Sequence, residues 1–92
     1  MPLVLCDQIS PGLRDSEAIA TLKDHSGRKH FIRVERDFLT QQNGQSFLPV
    51  AVVQTDRKSQ TVLIELPHEA ETGVNRLWVD RNRFAEPVEV PA

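Results

Sequence analysis

Hydrophobic and polar positions alternate on both sides of a short polar turn, and this pattern predicts a β-hairpin over residues 18–35. Asp24 at the first turn position and Gly27 at the fourth are typical of a type I turn, in which the glycine can take a positive φ. With a glycine bulge after this turn, Leu22 pairs with His30. One face of the hairpin then collects its apolar side chains, which are Ala18, Ala20, Leu22, Ile32 and Val34.

A two-residue turn at Ser26 and Gly27 is the competing choice for this hairpin. It would set Leu22 opposite Phe31 and divide the apolar residues between two faces, because a one-residue slip turns every side chain of a strand to the other side. The type I turn keeps the apolar residues together. We therefore expect the type I register.

Two further segments have the patterns of strands. β-Branched runs at residues 50–53 and 61–66 flank a polar turn and predict a second hairpin over residues 47–66. Pro49 cannot donate a backbone hydrogen bond, so we expect it at a strand start or a sheet edge. Residues 75–80 alternate again, which predicts a last strand.

The predicted elements describe an all-β fold. Asn43 and Gly44 mark a tight turn between the hairpins, and about five to six short antiparallel strands are typical of a small β-barrel or sandwich. A chain of 92 residues fits a single domain. Two prolines interrupt the C-terminal segment, so we expect a flexible tail over about residues 86–92. Alternation predicts a core that includes Ala20, Leu22, Ile32, Val34, Val50, Val52, Val62, Ile64, Leu77 and Val79.

Composition and charge narrow the classes of function. Only 5% of the residues are aromatic, so few large side chains can fill the core, and a deep active-site cavity is not expected. The formal net charge is −2 and the isoelectric point is about 5.9, so no global field attracts nucleic acid. Binding of nucleic acid would require a local basic patch.

The sequence also bears on location and redox chemistry. The N-terminal segment is too short and lacks the basic start of a signal peptide, and no apolar run approaches the roughly 20 residues that cross a bilayer. We expect a cytoplasmic protein without a membrane partner. Cys6 is the single cysteine, so the chain has no disulfide framework and no Cys-x-x-Cys metal site.

Residues that carry catalysis do not form a recognisable set in this sequence. No glycine-rich phosphate loop follows a predicted strand, and no nucleophile is matched with a base. We interpret His25, His30 and His68 as surface and strand-edge histidines, because they do not share one face with further ligands. The sequence therefore predicts no catalytic residue, no metal, no cofactor and no enzymatic activity.

The face of the first hairpin opposite its predicted core carries a local basic patch. Lys23, Lys29 and Arg33 lie on this face around Phe31, and an exposed aromatic ring beside Lys or Arg is how many sheets bind single-stranded nucleic acid. A half-solvated sheet face is also normally charged. Because the whole chain is acidic, we favour an ordinary solvated face, although its apolar members also suit a protein contact.

Trp78, the only tryptophan, points away from the core in the predicted last strand, on the side of Arg76. Two interpretations stay open. Trp78 either covers a small cluster with Phe84, Leu3 or Leu5, or anchors an interface, since Trp and Arg are frequent at binding hot spots. The first is the commoner outcome in small domains, and the second adds Arg76 and Trp78 to the candidate interaction surface.

The segment FLPVAVVQTDRKSQTVLIEL resembles the part of PRC-barrel domains in which a leucine-proline-hydrophobic motif precedes a short connection and a final hydrophobic strand. The segment AIATLKDHSGRKHFIRV is similar to their opening hairpin, and the two together cover roughly residues 18–66. The resemblance implies a small, SH3-like β-barrel that serves as an adaptor. Relatives include a domain of the photosynthetic reaction-centre H subunit and a domain of a ribosome maturation factor that docks on a ribosomal protein. It implies no catalytic residues.

These features together indicate a non-enzymatic protein-interaction or adaptor module. We expect it to contact another protein, or a second copy of itself, through a sheet face or an open strand edge. The alternative is an RNA- or ribosome-associated accessory domain that uses the basic patch of the first hairpin.

Overall fold

The computed structural model describes residues 1–89, which form nine β-strands and two short 3-10 helices. The strands are β1 (Leu3–Leu5), β2 (Gln8–Pro11), β3 (Glu17–Lys23), β4 (Lys29–Glu35), β5 (Thr40–Gln42), β6 (Gln45–Pro49), β7 (Ala51–Asp56), β8 (Thr61–Glu65) and β9 (Arg76–Asp80), and the helices are Arg36–Phe38 and Arg81–Arg83. They assemble into three antiparallel sheets, which we call the first (β1-β6-β5), the second (β2-β3-β4) and the third (β7-β8-β9) sheet. The mainly β class predicted from the sequence is confirmed.

The hairpin of β3 and β4 follows the expected type I turn. The backbone N–H of Gly27 donates to the carbonyl of Asp24 over 3.0 Å, and Gly27 has a φ of 88°. Leu22 lies opposite His30, so the predicted register is confirmed. The apolar residues of the predicted inner face are all buried: Ala18, Ala20, Leu22, Ile32 and Val34.

The apolar run at residues 47–53 belongs to two strands in different sheets, so the second hairpin begins at Ala51. β6 ends at Pro49, which has no N–H to extend the ladder. The next residue, Val50, turns its side chain into the core, and its N–H donates to the carbonyl of Pro2 over 3.0 Å. The chain thereby leaves the first sheet and enters the third.

β5 and β6 are joined by the tight turn predicted at Asn43 and Gly44. Their φ values are 53° and 78°, and Gln42 lies opposite Gln45. Positive φ at both central positions matches the twist of two antiparallel strands. The structure has more strands than the sequence predicts because β1, β2 and β5 contain only three or four residues each. Segments of three or four residues are too short to show the two-residue alternation of apolar and polar side chains.

β7 contains a β-bulge between Val52 and Gln54. Val52 lies opposite Ile64 and Gln54 lies opposite Leu63, so Val53 is the extra residue. Without the bulge, Gln54 would fall on the inner face of the sheet. The bulge therefore keeps a polar amide out of the core.

The sequence predicts Val52 in the core, and this prediction is wrong, because 37% of its surface is exposed. β7 is an edge strand of the third sheet, so within residues 1–89 one flank of Val52 has no neighbouring strand. The other members of the predicted core are all buried: Ala20, Leu22, Ile32, Val34, Val50, Val62, Ile64, Leu77 and Val79.

The C-terminal segment contributes to the same core. Phe84 is buried and forms a β-bridge with Val4. Val88 packs against the core, and its carbonyl accepts a hydrogen bond from Nε of Arg81 over 2.7 Å. Val88 belongs to the predicted flexible tail, and residues 90–92 of that tail lie outside the described residues. Flexibility of the tail stays a prediction.

The helices of the described chain are single turns. Within residues 1–89, neither is long and apolar enough to span a bilayer.

Candidate interaction surface

The outer face of the third sheet carries a row of apolar side chains. Trp78 on β9 lies opposite Leu63 on β8, and Leu63 lies beside the bulge that contains Val53. Trp78 is 36% exposed and Val53 is 41% exposed, while Leu63 between them is half-buried. We call Val53, Leu63 and Trp78 the apolar row.

The next pair of residues on this face is charged. Glu65 on β8 lies opposite Arg76 on β9, and Nε of Arg76 donates to Oε1 of Glu65 over 3.1 Å. Both side chains are about half exposed, so this ion pair contributes little to stability. The apolar row is therefore bordered by one positive and one negative group on neighbouring strands.

The turn of the first hairpin lies along the free edge of β9. The N–H of His25 donates to the carbonyl of Trp78 over 2.7 Å. Nδ1 of His25 also lies 2.5 Å from Oδ1 of Asp80. A groove of about 610 Å³ runs between this turn and the third sheet, and Trp78, Leu77 and Val74 form its apolar wall. Trp78 therefore presents one side to a concave surface.

A buried histidine fixes the same turn to the rest of the molecule. Nε2 of His30 lies 2.9 Å from Oδ2 of Asp24, and Nδ1 lies 3.1 Å from the hydroxyl of Thr72. Burial opposes ionisation of Asp24, but hydrogen bonds from His30, Ser26 and the backbone of Arg28 outweigh it and lower the pKa of Asp24 to about 2. Asp24 is therefore a pure acceptor at neutral pH.

The ionised Asp24 determines the tautomer of His30. Because the carboxylate can only accept, neutral His30 carries its proton on Nε2, and Nδ1 accepts from the hydroxyl of Thr72. The order carboxylate, imidazole, hydroxyl is also that of hydrolytic triads. Only 4% of the His30 side chain is exposed, so the imidazole has no access to a leaving group. We interpret the network as a structural tie between the turn, β4 and the loop after β8.

His30 corrects part of the histidine interpretation. The prediction of a surface histidine is wrong for His30, because the inner face of β4 buries it beside Asp24. His25 and His68 are exposed. Within residues 1–89, no group of three His, Cys, Asp or Glu residues is arranged to hold a metal ion. Cys6 is buried, and burial together with the neighbouring Asp7 raises the pKa of its thiol to about 12.

The predicted basic patch lies on the outer face of β3 and β4. Lys23 lies directly opposite Lys29, and Phe31, two residues further along β4, is 38% exposed. Arg33 continues this face, and its guanidinium lies 3.9 Å from the carboxylate of Glu71. Like charges directly opposite each other on neighbouring strands are destabilising. The Lys23–Lys29 pair is therefore a local concentration of positive charge.

The opposite end of the same hairpin shows how such a pair is neutralised. Glu17 lies opposite Glu35, and the guanidinium of Arg14 lies 3.4 Å from the first carboxylate and 3.3 Å from the second. Among residues 1–89, no acidic side chain forms an ion pair with Lys23 or Lys29. Arg14 thus bridges the like charges at one end of the hairpin, whereas at the other end, in the described part of the chain, the carboxylate of Asp7 accepts from the backbone N–H of Lys23 and forms no ion pair with its side chain.

The structure divides the predicted interaction residues into two groups. Arg76 and Trp78 line the groove beside the third sheet, whereas the basic-patch residues Lys23, Lys29, Phe31 and Arg33 do not. Phe84, one of the residues with which Trp78 would form a small covered cluster, belongs to the core cluster, which does not include Trp78.

Sequence reasoning missed two members of the apolar row and the turn beside it. Leu63 is outward in the alternation of residues 61–66, but its place next to Trp78 depends on the pairing of β8 with β9, which the sequence does not reveal. Val53 depends on the bulge. The contact of His25 with β9 joins residues 55 positions apart, and no local pattern marks it.

Comparisons of the chain with models of protein families, with curated proteins and with solved structures find no match. Membership of the PRC-barrel family stays a prediction.

Proposed function

We propose that this chain is a non-enzymatic interaction module of the cytoplasm that binds another polypeptide through the outer face of its third sheet. The apolar row carries the proposal. In this row, the side chains of Trp78 and Val53 are partly exposed to solvent on neighbouring parts of one sheet face.

The chemistry of this face supports a protein contact. Clustered exposed apolar side chains rimmed by polar ones are typical of protein-binding sites. Trp and Arg are enriched among residues whose truncation weakens interfaces most, and Trp78 lies on the same face as Arg76. The groove beside Trp78 gives a partner side chain a concave place to dock. An adaptor role is also what the PRC-barrel resemblance implies.

Replacing Trp78 by Ala tests the proposal. The tagged wild-type and variant proteins are incubated with lysate of the source cells, and the retained proteins are compared by quantitative mass spectrometry. Phe38→Ala is the matched control, because Phe38 is also an exposed aromatic but lies in the helix Arg36–Phe38, outside the third sheet. We expect Trp78→Ala to lose a specific set of proteins that Phe38→Ala retains, with both variants folded by circular dichroism. Equal retention by all three proteins would contradict the proposed surface.

A second candidate function rests on the Lys23–Lys29 pair beside the exposed ring of Phe31. Side chains on one face of a strand recur about every 6.6–6.8 Å, which allows successive groups to contact a single nucleic-acid strand. Binding to single-stranded RNA would weaken steeply with added salt, because phosphate contacts release counterions. Nuclease treatment of the lysate separates the two candidates. Proteins that Trp78 recruits directly survive it, whereas proteins bridged by RNA are lost.

A further inference from the structure

We propose that the partner of the third sheet is a second copy of this chain, which forms a two-fold symmetric dimer through the apolar row. This inference rests on the proposed interaction function and names its partner. The observation behind it is that the outer face of the sheet is complementary to itself.

The complementarity follows from the order of the strands. Suppose that the third sheets of two copies pack face to face, related by a two-fold axis that runs parallel to the strands and lies between β8 and β9. This axis sets β9 of one copy over β8 of the other. Residues that are opposite each other within one sheet then also face each other across the dimer. Trp78 faces Leu63 of the second copy, and the reciprocal pair forms at the same time.

The charged pair obeys the same symmetry. Arg76 and Glu65 lie opposite each other within one sheet, so the axis sets Arg76 over Glu65 of the second copy. Two cross-dimer ion pairs form beside two Trp–Leu contacts. Opposite charges that meet in this way fix the orientation of the partners and disfavour other arrangements.

The groove takes part in the same arrangement. Across the molecule the order is β7, β8, β9 and then the turn that contains His25, which bonds to the free edge of β9. The axis therefore sets β7 over the turn of the second copy. Val53 lies close to the level of Trp78 along the strands, so in the proposed dimer it faces the groove of the second copy, which Trp78 of that copy helps to line. The exposed side chain of Val53 would thus contact the apolar wall of the groove in the second copy.

Pairing through the edge of β7 fits the structure less well than pairing of the faces. The bulge interrupts the ladder of β7, and bulges on edge strands are a common protection against strand addition. The contact consists of the apolar row and one charged pair from each copy. The dimer therefore has a small interface, and we expect reversible association.

Charge reversal on each side of the pair gives the decisive experiment. In the Glu65→Arg variant, positions 65 and 76 are both positive, and in the Arg76→Glu variant they are both negative. Each variant therefore sets like charges against each other in a dimer with itself, whereas a mixed dimer sets opposite charges against each other. The association of each protein is measured by sedimentation velocity over a range of concentrations, alone and in an equimolar mixture. We expect the wild-type protein to dimerise, each variant alone to associate at least tenfold more weakly, and the mixture to recover dimers.

The outcomes separate this inference from the proposed function. A wild-type protein that stays monomeric at high concentration, or a mixture that does not recover dimers, overturns the second-copy inference. If Trp78→Ala still loses specific proteins from the lysate in that case, the interaction function stands with a different partner. Variants that dimerise as strongly as the wild-type protein would show that another surface is used. Should either charge variant fail to fold, Glu65→Gln and Arg76→Gln replace them, and both should weaken the dimer.

Discussion

Replacement of Asp24 by Ala would test how the turn of the first hairpin is held. The carboxylate accepts hydrogen bonds from the N–H groups of Ser26 and Arg28, from the Ser26 hydroxyl and from His30, over distances between 2.7 and 3.0 Å. Without the carboxylate, the buried Nε2–H of His30 has no acceptor. A buried donor without a hydrogen-bond partner lowers the free energy of unfolding by about 1–3 kcal/mol. With the turn bonds also lost, we expect the free energy of unfolding to fall by about 2–4 kcal/mol.

Asp24→Asn is the matched variant, because it keeps an oxygen for the turn and changes the partner of His30. The carboxamide N–H₂ group can face His30 only if Nε2 becomes an acceptor. The proton of the imidazole then moves to Nδ1 and is donated to the hydroxyl of Thr72. This exchange preserves most of the network, so we expect a loss of about 1–2 kcal/mol.

Two measurements check this reasoning. Urea unfolding followed by the fluorescence of Trp78, the single tryptophan, gives the free energies. The nitrogen chemical shifts of the His30 ring give the tautomer directly. An Nδ1–H tautomer in the wild-type protein at pH 8, or equal stabilities for the wild-type protein and Asp24→Ala, would refute the proposed network.

The wild-type protein and Asp24→Asn should differ in how their stability responds to acid. The pKa of Asp24 is lowered from an ordinary value of 3.8 to about 2 in the folded protein. Its ionisation therefore stabilises the fold fully above the ordinary value, and this contribution is lost as the pH falls towards 2. The wild-type protein should lose about 1–2 kcal/mol more than Asp24→Asn between pH 5 and pH 2.

Two further predictions concern the core and the cysteine. Ile64→Ala should lower the free energy of unfolding by about 2–5 kcal/mol because Ile64 is fully buried. Val52 lies opposite Ile64 but is exposed at the sheet edge, so Val52→Ala should lower it by less than about 1 kcal/mol. Similar losses for the two variants would show that the edge of β7 is buried. Cys6 should resist alkylation by iodoacetamide at pH 8 and react rapidly in denaturant, because its thiol is buried and has a pKa raised to about 12. Rapid reaction of the native protein would contradict the burial.

The sequence carries most of the information for the hairpin of β3 and β4. Turn chemistry at Asp24 and Gly27 and the alternation on both sides lie within one continuous segment of the chain, so the register of β3 and β4 can be read directly. The last strand is similar, because the buried Leu77 and Val79 alternate with Arg76, Trp78 and Asp80, which face outward. In these segments local preference and tertiary structure agree.

The remaining features depend on contacts between distant segments. β1 and β2 are too short for a period, and the division of residues 47–53 between two sheets becomes visible only when β6 has its partners. The hydrogen bond between His30 and Thr72 likewise joins residues that are 42 positions apart. The candidate surface has the same character, since Trp78 was recognisable from alternation but Leu63 and Val53 required the pairing of the third sheet.

The pairing of β1 with β6 has a consequence for how the chain folds. Leu5 lies opposite Phe47 and Leu3 opposite Pro49, so this contact closes a long loop, whereas β2-β3-β4 and β7-β8-β9 each join strands that follow one another along the chain. Contacts between distant residues form slowly, because the entropy of loop closure must be overcome first. A nascent chain can therefore complete the second sheet early. It carries the apolar segment of β1 without its partner strand until β6 has been synthesised, and exposed apolar segments of this kind are prone to aggregation.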